Sequence, residues 1–310
     1  MVDPQVTPGP GDGREPPGQS AVVRRSTPRP TFVGPSVIRR EATAHHVWGD
    51  AGSGLVTDRV YSSTENLHVL EFELAPGGGF RHSPSNQTVF AADVAYAVLT
   101  GELVIANPRL GEVQIVAAGE LVLFHRDTWH HGFNPAGEPV RVLEFFAPPP
   151  SRRTASDYAR TQPALESSTY RDARWDRDWP AAAEQCADAA TLHVVGADRT
   201  LWSLRDDAPS HLVGVQVDTP FLRVVRGRVY PGHVEDPLPV PDESVVVVTD
   251  GELWVDAQET EGNRLATARL CEGDAMFVPA GAALRVLNRS AEQAAYLMGS
   301  GYAVDADWHP

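Results

Sequence analysis

Cysteine is nearly absent from this chain: Cys186 and Cys271 are its only two in 310 residues. Two thiols are too few for a disulfide framework, so both read as ordinary buried or surface cysteines. No apolar run reaches membrane-spanning length, and no basic-then-apolar leader opens the sequence. A soluble cytoplasmic protein is the expectation. Positive charge is also short, with 26 Lys and Arg against 41 Asp and Glu and a formal net charge of −15. That balance disfavours nucleic acid and anionic membrane surfaces as partners and favours solubility. A sustained helical period is missing between residues 67 and 146. A phosphate-cradling glycine loop, a nucleophile elbow, a CxxC pair and an HExxH helix are missing too. Pro76-Gly77-Gly78-Gly79 is glycine-rich, but it leads from strand to strand with no helix N-terminus to hold an anion, so it is a turn.

What the chain does have is apolar sequence in strand-like patterns. Hydrophobic residues make up 42% of it, enough for two cores at this length. Leu70, Phe72 and Leu74 alternate with Glu71 and Glu73, the period of a half-buried strand. Residues 95–106 are β-rich around Gly101-Glu102, and residues 141–146 form another strand before Pro148-Pro149-Pro150. The class is all-β. Residues 1–35 hold eight prolines and five glycines with few large apolar residues, and read as a disordered tail. A first unit spans 36–150 and opens on a strand or loop carrying His45, His46 and Trp48, with both histidines at the surface. A connector, 151–191, is rich in Arg, Asp, Ser and Ala and holds a short helix near 156–160. Trp175 and Trp179 in it predict packing against its neighbours. A second unit spans 192–310.

An internal repeat relates the two units. Gly101-Glu102-Leu103-Val104 recurs as Gly251-Glu252-Leu253-Trp254, 150 residues on. The stretch Gly119 to Asn134 recurs from Gly273 to Asn288, 154 residues on, so one loop is four residues longer in the second copy. Repetition on this scale is a duplicated domain. Gly119, His130 and Asn134 match the second motif of the cupin family, Gly-x5-Pro-x-Gly-x2-His-x3-Asn. His125 stands where the family has Pro and Asp127 where it has Gly. The second copy keeps Gly273, Pro279, Gly281 and Asn288 but has Leu284 at the histidine. The chain therefore resembles a bicupin over residues 67–148 and 221–301. The resemblance implies two tandem cupin barrels of the jelly-roll (double-stranded β-helix) type, joined by the short, partly helical connector.

The resemblance also implies a metal at the barrel mouth, with His130 pointing in as a ligand. The family's first motif, Gly-x5-His-x-His, is incomplete: His82 follows the glycine run, with no second histidine. His82, His130 and Asp93 are the candidate metal ligands, a two-imidazole, one-carboxylate set of the kind that holds non-haem Fe(II). Asn86, Gln87 and Glu144 are further oxygen donors. His131 must face away from His130, since strand neighbours alternate, and with Trp129 it packs outward. Tyr96 is an inward hydroxyl over the site or a core tyrosine. His125 is a proton shuttle or a solvated turn histidine. In the second unit His233 and Glu235 share a face, near Glu243. With Leu284 beside them they read as a degenerate pocket or a salt-linked surface pair. The expected function is a metal-dependent enzyme working in the first barrel, an Fe(II) oxygenase or dioxygenase acting on a small organic substrate. An O2-independent isomerase, lyase or hydrolase and a non-enzymatic small-molecule binder are the alternatives. The resemblance makes a homodimer plausible.

Overall fold

The computed structural model describes residues 28–83, 88–148, 159–161, 165–172, 183–205, 208–260 and 264–303. Residues 1–27 of the expected tail, Asn86, Gln87, Trp175 and Trp179 lie outside these. The regular structure of the described residues is almost wholly strand. After β1 (Ser36–Ile38) come β2 (Ala44–Asp50), β3 (Gly54–Ser63), β4 (His68–Leu74), β5 (Gly79–Phe80) and β6 (Thr88–Phe90). Next are β7 (Asp93–Thr100), β8 (Glu102–Asn107), β9 (Glu112–Ala117), β10 (Leu121–Phe124), β11 (His131–Phe133) and β12 (Val140–Ala147). The connector carries β13 (Ala159–Thr161) and helix α1 (Ala183–Asp188), and β14 (His193–Val195) opens the second unit. The second unit follows with β15 (Leu201–Arg205), β16 (Ala208–Asp218), β17 (Leu222–Val229), β18 (Leu238–Pro239) and β19 (Glu243–Asp250). It ends with β20 (Glu252–Gln258), β21 (Leu265–Cys271), β22 (Ala275–Val278), β23 (Ala283–Leu287) and β24 (Ala294–Gly301).

Each barrel sets a seven-stranded antiparallel sheet against a four-stranded one. The large sheets run β14-β10-β7-β12-β4-β3-β2 and β1-β22-β19-β24-β17-β16-β15; the small ones run β5-β11-β8-β9 and β18-β23-β20-β21. The barrels trade strands. Strand β1, from the start of the first unit, pairs with β22 of the second barrel, and β14, from the start of the second unit, pairs with β10 of the first. Of the helix expected near residues 156–160, residues 156–158 lie outside the described residues, while Ala159 and Arg160 lie in β13, paired with β6; a helix is described at Ala183–Asp188. The end of the expected tail is packed rather than loose, with the Phe32 ring 5.2 Å from that of Phe277. No helix among the described residues is long and apolar enough to cross a membrane.

Alternation along the large sheets builds three cores. Val94, Tyr96 and Val98 on β7, with Phe72, Val142 and Phe146, face into the first barrel. Ala95, Ala97, Leu143 and Phe145 face the other way and meet Val224, Val245, Val247 and Leu297 of the second barrel. The interior of the second barrel is a valine-rich core of its own. The outer face of β4 is therefore only partly solvated: Glu73 is exposed, but Glu71 is not. Glu71 is buried between the barrels, with its carboxylate on Arg40 (2.6 Å) and Arg141 (3.0 and 3.1 Å). Burial raises the Glu71 pKa, and the two guanidiniums overcome that and hold it below its usual value.

The repeated motif residues prove to be turn chemistry. Asp127 has φ 63°, the left-handed region, at the position where Gly281 has φ 77° in the second copy. Asp tolerates that conformation better than most side chains, which is why it can replace the motif's glycine. Asn134 Nδ2 donates to the carbonyls of Leu74 (3.0 Å) and Glu138 (2.8 Å). Asn288 does the same for Val229 and Glu292, both at 2.8 Å. Each motif asparagine staples two loops at one end of its barrel.

Candidate metal centre

The residues singled out in the first barrel come together only in part. His130 points inward among Phe80, Phe90 and Phe124. Its Nδ1 is 3.1 Å from the Thr128 carbonyl, which can only accept, so Nδ1 carries the proton. Nε2 then accepts the hydroxyl of Tyr96 at 3.3 Å. Burial, with His82 nearby, pushes the His130 pKa down to about 3, so the imidazole is neutral. The His82 ring lies 6.0 Å from that of His130 and 4.1 Å from that of Trp129, which is buried. His131 is buried under the connector: its Nε2 accepts the His82 backbone N–H (2.9 Å), and its Nδ1 meets the Tyr170 hydroxyl (3.0 Å). Asp93 is turned to the β10–β11 loop instead of to His130, taking His125 Nδ1 at 3.1 Å and the Arg126 N–H at 3.4 Å. His125 itself is more than half exposed and lies beside His193 of β14. Glu144, on β12, is the cross-strand partner of Tyr96 inside the barrel.

A tighter set sits in the second barrel. His211, His233 and Glu235 are all buried, and their ligand atoms lie within 4.8 Å of one another; no other His, Cys, Asp and Glu group among the described residues converges in this way. His211 comes from β16, while His233 and Glu235 come from the segment after β17. The sequence pairing of His233 with Glu235 on one face holds, but the pair is not at the surface. Glu235 Oε2 takes His211 Nδ1 (3.1 Å) and His233 Nε2 (3.3 Å), and Oε1 accepts the Val286 N–H (2.8 Å). Each histidine has its other nitrogen on a hydroxyl: His211 Nε2 on Tyr296 (3.0 Å) and His233 Nδ1 on Ser210 (2.9 Å). Arg205 Nε stands 3.2 Å from Glu235 Oε2. Burial raises the Glu235 pKa, but His211, Arg205 and Val286 together bring it below its usual value, so it is a carboxylate at neutral pH. Burial lowers His233. Glu243 belongs elsewhere, on Thr64 between the barrels.

This donor set suits a divalent cation. Two imidazoles and one carboxylate converge, each histidine is oriented by a second group, and the carboxylate is fixed by a backbone N–H. Hydroxyls can donate or accept, so Tyr296 and Ser210 fit either tautomer of their histidines, including the one that frees Nδ1 of His211 and Nε2 of His233. Sequence reasoning missed His211. It is the fourth residue of β16, 22 residues before His233, and no spacing rule joins the two.

No family model and no curated protein matches the chain. Solved structures match its fold along most of its length. A Pseudomonas aeruginosa protein named as glyoxylate-induced is 14% identical with a TM-score of 0.62, covering 92% of this chain and 96% of its own. Procruciferin, an 11S globulin of Brassica napus, is 11% identical at 0.58 over 87% and 86%. The oxalate decarboxylase of Lactobacillus farciminis, in its formate complex, is 11% identical at 0.57 over 89% and 88%. At such identities the likeness carries fold and nothing finer: the chain has the two-barrel jelly-roll fold of the bicupins.

Proposed function

We propose that this protein is a metal-dependent enzyme whose divalent ion is held by His211, His233 and Glu235, with Fe(II) as the ion and oxidation of a small organic substrate as the chemistry. The observation that carries the reading is the convergence of three buried donors whose outer atoms are already oriented. A bound ion supplies Lewis acidity and, if it is iron, redox chemistry to a substrate at the positions the protein leaves open. The chain does the rest. Tyr296 and Ser210 set the imidazole planes, Val286 holds the carboxylate, and the apolar second core keeps bulk water from the donors. Among proteins of this fold, the L. farciminis enzyme acts on oxalate, a small carboxylate. A small acid is accordingly the first substrate class to screen.

Arg205 favours a second reading. With its guanidinium on Glu235, the group is also a self-contained ionic network inside a non-enzymatic small-molecule binder. Elemental analysis of untagged protein purified without O2 separates the two. Near-stoichiometric metal is expected, lost in His211→Ala and Glu235→Gln and kept in His130→Ala. Metal that survives His211→Ala but not His130→Ala would return the centre to the first barrel. Absence of metal after anaerobic reconstitution would leave the binder. O2 uptake with candidate acids then tests the oxidation chemistry.

A further inference from the structure

Inside the first barrel lie two carboxyl groups that the fold does not need. Asp58 sits between Val56 and Val60 on β3, and Glu144 between Val142 and Phe146 on β12, and all four flanking residues belong to the interior core. Asp58 is 3% exposed and Glu144 6%. One oxygen of each, Asp58 Oδ1 and Glu144 Oε1, accepts no hydrogen bond. No Arg among the described residues forms an ion pair with either. The Trp48 side-chain N–H serves the Asp58 carboxylate, but burying a carboxyl oxygen with no hydrogen bond is costly, and native folds rarely do it without a reason.

The second barrel is the internal control. The strand registers match position for position: Asp58 pairs with Phe72 as Val213 pairs with Gly227. Glu144 pairs with Leu70 and Tyr96 as Met298 pairs with Val225 and Val246. His130 corresponds to Leu284 through the repeat. Thus Asp58, Tyr96, His130 and Glu144 are replaced by Val213, Val246, Leu284 and Met298, and the same barrel forms. The four polar groups of the first barrel are an addition to the scaffold.

We infer that the interior of the first barrel is a separate binding site for a small organic ammonium ion, with Asp58 and Glu144 as its counter-charges. With both carboxyls ionised, the groups left over are all acceptors. The Tyr96 proton is committed to His130 Nε2, which leaves the phenol oxygen and two carboxyl oxygens facing the interior. The missing partner is a donor of N–H. Phe72, Phe80, Tyr96 and Phe124 stand edge to face around this layer, with Trp48 beside Phe80, and aromatic walls suit a cation carried on nitrogen. A metal ion fits less well, because Asp58, Glu144 and His130 do not converge as His211, His233 and Glu235 do.

The charge state of the pair gives the site a pH signature. Burial pushes Asp58 up to about 7, and it pushes Glu144 well above the usual carboxylate range, with Asp58 adding to the rise. The titratable groups facing them are Tyr96 on β7, His130 beside β11 and His46, the cross-strand neighbour of Asp58 on β2. His130 is neutral throughout. An ammonium ion entering the barrel therefore displaces protons from the acids, and its affinity rises with pH.

Isothermal titration of the full chain with ethylamine, butylamine and hexylamine, against alcohols of equal length, tests this. Buffers of different ionisation enthalpy at pH 6 and pH 8 report the protons. Amines are expected to bind at least tenfold more tightly than the alcohols, more tightly at pH 8 than at pH 6, and with proton release. Glu144→Met and Asp58→Val install the second barrel's own residues, and should abolish amine binding while raising the melting temperature. That gain should be larger at pH 8 than at pH 5, because a group whose folded-state pKa is raised loses stability as pH climbs past its unfolded value. Glu144→Gln keeps the shape without the charge and should also lose binding. Alcohols that bind as well as amines, no proton release, no amine binding at millimolar concentration, or variants that melt lower and still bind would each overturn the inference. Metal content in these variants reports on the second barrel independently.

Discussion

At the scale of single residues, Arg205 decides how the second-barrel cluster behaves. Its Nε stands 3.2 Å from the same Glu235 oxygen that the two histidines share. A divalent ion on Glu235 must take the place of that cation or work against it. Since Arg205 is partly exposed, its field is screened, and removing it should be worth about a tenfold gain in metal affinity rather than the much larger figure of a dry interior. Chelator competition on Arg205→Gln should show tighter binding; weaker binding would make Arg205 part of the support of the site. The sequence could not have shown any of this. His233 and Glu235 were visible as alternate neighbours on one strand face, but Arg205 and His211 lie on β15 and β16, and only the register of β16 on β17 brings them over the pair. Asp93 shows the converse. Counting back from Gly101 puts the family's acidic position on Val94, and Asp93, the carboxylate one residue before it, is aimed at His125.

At the scale of elements, the repeat was legible because it is written in turns. Gly101 and Gly251 both carry positive φ where one strand doubles back on the next, at 78° and 69°, and such positions leave a mark in sequence that packing does not. Strand exchange leaves none. Strand β1 is three residues long, has no alternation to read, and takes its partner from 237 to 241 positions further along the chain. Yet it closes the edge of the large sheet beside β22 and seats Ile38 in the core between the barrels. Removing residues 1–38 uncovers that edge and takes away the Phe32–Phe277 contact. The loss should be about 3 kcal/mol from apolar burial alone. A lower melting temperature and self-association on gel filtration are expected, since an uncovered edge strand pairs with what it meets. An unchanged melting curve would show that β1 is dispensable.

At the scale of the whole molecule, the two barrels share one core and should behave as one cooperative unit. Phe145 faces out of the first barrel and packs over the backbone of Gly299 in the second, where an added Cβ would come within 2.2 Å of its ring. Tyr61 donates its hydroxyl to the Gly273 carbonyl across the same boundary at 2.7 Å, and Arg39 and Arg40 tie the turn after β1 to Asp274 and Glu71. These contacts join positions far apart in the chain that no local pattern links, which is why two separate domains looked natural in the sequence. A linker between independent barrels would give two melting transitions, whereas a shared core gives one. Phe145→Ala removes a fully buried ring from that core and should cost about 3–5 kcal/mol. Calorimetry should show a single endotherm whose midpoint moves as a whole in the variant. Two endotherms, with only the first barrel's displaced by Phe145→Ala, would mean that the barrels fold independently and that the face between them contributes little to either.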